Sequence, residues 1–122
     1  MQRILLKSKI HRATVTGADL NYEGSLSIDK NLMAAADLMP FEQIKIYNVS
    51  NGERLDTYVI EAPAGSGAVC LNGAAARKGT VGDLIIIASY ALFAEDDIKN
   101  GGTTVVSVDS LNNIIKRTEI KW

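Results

Sequence analysis

The sequence predicts a β-dominated domain closed as a small barrel. Three observations lead there: short runs of alternating or β-branched residues separated by Gly and Asn turns, an Asn51-Gly52 pair set between two such runs, and only one segment with helical spacing. About six short strands around one small helix leave sheet edges open unless the sheet closes on itself, which removes them. A chain of 122 residues that is 47% hydrophobic can bury one modest core, so a single domain over residues 1–122 is expected.

In chain order, Ser8–Thr16 is rich in β-branched residues and reads as the first strand. Asp29 can cap a helix in which Leu32, Ala35, Ala36 and Met39 recur at helical spacing, and Pro40 ends it. From Ile44 to Val49, Ile44 and Ile46 alternate with Lys45 and Tyr47. The Asn51-Gly52 turn then returns the chain through Glu53–Glu61 as the second arm of a hairpin. Pro63–Gly67 reads as a loop, Gly82–Ala88 as a strand built on Leu84-Ile85-Ile86-Ile87, and Asn100-Gly101-Gly102 as a turn. Thr103–Val108 is a further strand, and Ile114–Trp122 a last strand or a docking tail.

Composition narrows the function. Thirteen Lys plus Arg against fourteen Asp plus Glu give a net charge of -1, so no excess positive field exists to hold nucleic acid. One cysteine, Cys70, cannot form an internal disulfide, and with a single histidine there is no ligand set for zinc. Ile4, Leu5 and Leu6 are too few for a secretory apolar region, and Leu84–Ala94 falls short of the roughly 20 residues that span a bilayer. A soluble, cytoplasmic, metal-free protein with neither nucleic-acid nor membrane partners is the expectation.

Several residues could carry chemistry. His11, between Lys9 and Arg12, is either a half-buried strand histidine or a group titrating near neutrality. Cys70, among apolar neighbours, reads as a small buried hydrophobe. The glycines of Ala64–Gly67 match neither a Walker loop nor a dinucleotide fingerprint, and Glu95-Asp96-Asp97 lacks calcium-loop spacing and reads as a solvated face.

Three segments carry more. In Tyr22-Glu23-Gly24-Ser25, glycine before serine permits a strained carbonyl within reach of the hydroxyl, although for the dipeptide alone a plain turn is the favoured explanation. Period 2 puts Arg54, Asp56 and Tyr58 on one face, with Thr57 on the other. The three are either a carboxylate fork beside a proton-transferring phenol or a polar outer face with an Arg-Asp pair. Asn72-Gly73-Ala74-Ala75-Ala76 joins an amide to small residues that let a ligand approach backbone N–H groups, or that start a helix or pack tightly.

Taken together, these segments resemble the bacterial pyruvoyl-dependent aspartate 1-decarboxylases over essentially the whole chain. The resemblance is carried by Lys7–Thr16, Tyr22–Ser25, the Asn51-Gly52 turn with Glu53–Tyr58, Leu71–Arg77 and Gly82–Ala91, with no departure at a functional position. It implies a double-psi β-barrel with one or two short helices, assembled as a homotetramer with active sites between subunits. It further implies autocatalytic cleavage between Gly24 and Ser25 into a β chain of residues 1–24 and an α chain of residues 25–122, Ser25 becoming an N-terminal pyruvoyl group in place of PLP or a metal. The activity implied is decarboxylation of L-aspartate to β-alanine and CO2, for pantothenate and coenzyme A biosynthesis, through a Schiff base that acts as electron sink.

The resemblance also distributes roles. Gly24, Ser25, Thr57 and Asn72 serve self-processing, and a side chain at position 24 would obstruct the oxyanion. Lys9 and Arg54 bind carboxylate, Thr57, Gly73, Ala74 and Ala75 complete the substrate site, Tyr58 protonates the carbanion, and His11 and Tyr22 support. A maturation partner is compatible with this but not implied. The alternative is a non-catalytic barrel module for binding or interaction that keeps its backbone intact.

Overall fold

Aliphatic side chains at every second position, pointing to a common interior, build most of the structure, a computed structural model that describes residues 1–122. Nine strands form: β1 (Gln2–Thr14), β2 (Gly17–Asp19), β3 (Ser25–Asp29), β4 (Gln43–Asn48), β5 (Arg54–Ala62), β6 (Val69–Asn72), β7 (Leu84–Ala94), β8 (Gly102–Val108) and β9 (Ile114–Lys121). Two short helices, α1 (Lys30–Ala35) and α2 (Glu95–Asn100), and a 3-10 helix over Gly73–Lys78 complete the chain. The strand order is β2-β6-β3-β5-β4-β7-β1-β8-β9. Only Val15 and Thr16 separate β1 from β2. Val15 N–H donates to the Asp83 carbonyl beside β7 at 2.9 Å, and Thr16 N–H to the Val69 carbonyl of β6 at 2.8 Å. One continuous segment therefore borders both ends of the run from β6 to β7, an arrangement consistent with the small barrel expected.

Ile10, Leu26, Ile44, Ile46, Ile85 and Ile87 are fully buried in one core, each contributing about 1.5–3 kcal/mol of transfer free energy. The expected hairpin forms between β4 and β5, with Tyr47 opposite Arg54 and Gly52 at φ +78 in its turn.

Several boundaries differ from the sequence reading. The first strand starts at Gln2 because residues 2–6 pair with Ala94–Tyr90 of β7, which for the same reason runs past Ala88 to Ala94. Strands β2, β3 and β6 were not anticipated: at three, five and four residues, each is made by pairing rather than by pattern. The helix expected to reach Met39 stops at Ala35. Asp37 adopts φ +54, Leu38 turns into the core, and Met39 stands 66% exposed. The acidic Glu95-Asp96-Asp97 cluster is exposed but also forms the first turn of α2, where negative charge suits a helix N-terminus.

Asp29 caps α1 and ties it to the 63–67 loop: its carboxylate accepts from Asn31 N–H at 2.8 Å, Gly67 N–H at 2.9 Å and Gly65 N–H at 3.1 Å. Burial pushes this carboxyl up, but the three backbone donors together outweigh burial and hold it below the usual Asp range. Asp29→Ala is expected to cost about 2 kcal/mol in denaturant titration. Because the folded-state pKa is depressed, that stabilisation is present above the unfolded Asp pKa. The gap between parent and variant should narrow as pH falls through the lowered value.

Candidate active site

Ser25 opens β3 between two neighbours. It pairs with Asn72 of β6, and Ser27 with Cys70, while Leu26 lies opposite Val59 and Ser27 opposite Ile60 of β5. Paired residues share a sheet face. Ser25, Ser27, Cys70 and Asn72 therefore lie on one face, and extending the parallel register by one residue sets Tyr58 beside Ser25 on it. Thr57 pairs with the core residue Ile44 and points to the other face, as the alternation predicted.

The Gly24-Ser25 junction is held from three directions. Ser25 is wholly buried and adopts φ +150, a region that L side chains rarely occupy. Asn72 Nδ2 donates to Ser25 Oγ at 3.1 Å and to Ser27 Oγ at 2.8 Å, while its Oδ1 accepts from the Cys70 thiol at 3.3 Å. Although Asn72 stands at the N-cap of the 3-10 helix, it caps nothing, because its amide is directed at these partners instead. Gly73, at φ +62, lies against the junction: a Cβ there would fall 2.8 Å from Gly24 Cα and 2.9 Å from both Gly24 N and the Tyr22 carbonyl oxygen.

A Cβ on Gly24 itself meets nothing within 4 Å, and the crowding in this state is at Gly73. One expectation is corrected. Cys70 is half-buried with its thiol donated, not an inert hydrophobe. The small-residue segment both forms a short helix and packs: Gly73 and Ala75 are buried, Ala74 is exposed. The Tyr22 ring is largely solvent-facing.

A second cluster lies elsewhere on the sheet. The Arg54 guanidinium sits 4.4 Å from the centroid of the Tyr47 ring, and the Tyr47 and Tyr90 hydroxyls are 3.0 Å apart. Burial first, and then the Tyr90 hydroxyl, pushes the Tyr47 phenol up to about 12, so it stays neutral. Asp56 pairs with Lys45 at 3.1 Å, so the Arg54–Asp56 pair weighed from sequence does not form and Arg54 has no carboxylate partner. Lys9, on β1 opposite Ala88 and Val105, has none either. His11 lies opposite Ser107, half-buried, with Nδ1 buried and unpartnered. Burial above all, then Lys9 and Arg12, lowers its pKa, favouring neutral imidazole. Ser8 and Ile10 point inward, so Lys9 and His11 occupy the outer face of β1.

One chain thus brings together Gly24, Ser25, Asn72 and Gly73 and sets Tyr58 level with them. It does not bring Lys9, His11 or Arg54 there: Arg54 is four residues from Tyr58 along β5, roughly 13 Å, and β1 is four places from β3 in the strand order. Ser27 and Cys70 were missed as site residues. Their signal was the two-residue spacing from Ser25 and Asn72, which on strands means a shared face.

The chain is mainly β, with a buried serine at positive φ whose preceding glycine packs against Gly73. Sequence comparison places it in a family. The profile described as Aspartate decarboxylase matches residues 1–115. The aspartate 1-decarboxylase of Syntrophobacter fumaroxidans is 63% identical over 112 residues, covering 92% of this chain and 90% of that protein. That of Syntrophus aciditrophicus is 61% identical over 114 residues, covering 93% and 98%. That of Thermoanaerobacter pseudethanolicus is 55% identical over 112 residues, covering 92% and 96%. The chain belongs to the aspartate decarboxylase family.

Proposed function

We propose that this protein is an enzyme that decarboxylates L-aspartate to β-alanine and CO2, using a pyruvoyl group made from its own Ser25, and so supplies pantothenate biosynthesis. Family membership supports the reaction, and one observation supports the origin of the group: Ser25 is buried at φ +150 with Oγ fixed by Asn72 and Gly24 braced by Gly73.

That geometry supports self-processing. Ser25 Oγ adds to the Gly24 carbonyl carbon, the scissile C–N bond breaks, and the hydroxyl proton ends on the Ser25 nitrogen, leaving an ester. Loss of the Ser25 Cα proton with departure of the Gly24 carboxylate leaves dehydroalanine. That departure separates residues 1–24 from 25–122, and water then replaces the dehydroalanine nitrogen with oxygen, releasing ammonia. Relief of the Ser25 strain favours bond breaking. Thr57 makes no side-chain hydrogen bond and faces the core, so its part in this step rests on the family resemblance alone. Under this reading Thr57→Val, which conserves shape, leaves mainly intact chain on a denaturing gel, and normal processing would remove Thr57 from the scheme.

Formed at Ser25, a pyruvoyl group would supply the electrophilic carbonyl and electron sink that decarboxylation needs. The unpaired Arg54 and Lys9 hold carboxylate, Arg54 as a planar fork and Lys9 as a point charge. Gly73, Ala74 and Ala75 lend backbone N–H groups. Tyr58, on the face of Ser25, returns the proton to carbon.

Arg54 and Tyr58 stand roughly 13 Å apart at the backbone along one β5, and the Arg54 guanidinium lies over Tyr47. The reading therefore includes a homotetramer in which neighbouring copies contribute the two halves of each site. Exposed Ile4, Phe41, Leu92 and Ile115 give it apolar surface to bury. No helix is long and apolar enough to cross a membrane. A cytoplasmic location belongs to the same proposal, resting on the single cysteine.

Denaturing mass spectrometry with a CO2-release assay tests the whole. Expected are two fragments meeting between Gly24 and Ser25, a ketone at the start of the larger one, and CO2 from L-aspartate. CO2 release from material that remains a single intact chain would overturn the pyruvoyl reading.

A further inference from the structure

We infer that Ser27 and Cys70 are positioning residues for cleavage at Ser25, because between them they set which way the Asn72 amide points. The inference rests on the self-processing proposed above.

An asparagine amide is nearly symmetric in shape, and either its oxygen or its nitrogen can face a serine hydroxyl. The two orientations have opposite consequences. With nitrogen facing Ser25, Oγ accepts and its own proton is directed elsewhere; with oxygen facing Ser25, that proton is held by the amide. Cys70 decides between them. Its thiol, 3.3 Å from Asn72 Oδ1, is a donor and calls for an acceptor. Burial, with Asp19 adding to it, pushes the thiol pKa up and keeps the proton in place. Gly17, opposite Cys70 on β2, makes room for the sulfur at this place, since a Cβ there would lie 2.9 Å from Sγ.

Oδ1 turned toward Cys70 leaves the two Nδ2 hydrogens for the two serines, Ser27 at 2.8 Å and Ser25 at 3.1 Å. Ser27 is the nearer acceptor, so it fixes the plane of the amide and thereby the direction of the hydrogen bond to Ser25. Neither Ser27 nor Cys70 touches the scissile bond; both act through Asn72.

The test follows cleavage of the freshly purified full-length chain by denaturing mass spectrometry, for the parent, Cys70→Ser, Cys70→Val and Ser27→Ala. Melting temperatures are read on the same substitutions in a Ser25→Ala chain that cannot cleave. Cys70→Ser keeps a donor and should cleave within about twofold of the parent rate. Cys70→Val and Ser27→Ala each remove one orienting hydrogen bond and should slow cleavage roughly five- to tenfold, with melting temperatures that do not track the loss. Parent-like cleavage in both Cys70→Val and Ser27→Ala overturns the inference. So does slowing in Cys70→Ser equal to that in Cys70→Val, or slowing that scales with melting temperature across the set. A parent chain that never cleaves, alone or with cell extract, refutes the proposed self-processing itself.

Discussion

Gly73→Ala should leave a chain that stays whole, with cleavage between Gly24 and Ser25 slowed by about a hundredfold or more. The added methyl would meet Gly24 Cα at 2.8 Å and Gly24 N and the Tyr22 carbonyl oxygen at 2.9 Å, and all of these are backbone atoms that no rotamer change can move aside. Alanine at φ +62 adds about 1–2 kcal/mol of left-handed strain. The overlap is relieved only by shifting residues 22–24, which misaligns the carbonyl that Ser25 must attack. A displacement of about 1 Å at a reacting centre typically costs on the order of a hundredfold. Timed denaturing gels provide the measurement. Cleavage at the parent rate would mean that the Gly73 contact has no part in aligning the bond. Gly24→Ala gives the complementary control: with open space around that position, it should fold with unchanged stability.

Arg54→Ala should leave processing intact and raise KM for aspartate by about a hundredfold, the scale of losing one charge-assisted carboxylate clamp. The argument rests on what surrounds Arg54. Lys45 is engaged with Asp56 and cannot substitute, whereas the guanidinium is free of carboxylates and seated on Tyr47. Arg54→Lys should recover little, because an ammonium neither forks nor stacks in the same way. CO2 release measured across aspartate concentrations checks both variants. An unchanged KM in Arg54→Ala would assign the carboxylate to another cation, with Lys9 the next candidate. The two predictions separate the halves of the site: one variant stops the backbone reaction and spares the cationic face, and the other does the reverse.

The parts that were legible in the sequence are those governed by neighbours along the chain. Asn51-Gly52 specified the hairpin, because a turn of that kind needs positive φ and Gly52 supplies it. Alternation separated Ile44 and Ile46 from Lys45 and Tyr47, and Thr57 from Tyr58, since period 2 is a property of any extended chain. Asp29 announced a helix start. Where that helix ends was misjudged, because Ala35 and Met39 satisfy helical spacing whether or not the chain turns, and it is packing of Leu38 that turns it at Asp37.

What the sequence determined by itself was the class of fold, the family, and the residue types any site would have to use, Gly24, Ser25, Asn72, Gly73, Arg54 and Tyr58 among them. Only the tertiary structure decided which of these meet. Asn72 reaches Ser25 from 47 positions away because β6 pairs with β3, and the same pairing recruits Ser27 and Cys70 to one face. Lys9 is carried away from that group by the strand order, and Arg54 by its four-residue offset from Tyr58 along β5. Partners so distant along the chain are chosen by how strands are ordered and registered against a shared core, an energy summed over the whole sheet, and no local stretch of residues contains it.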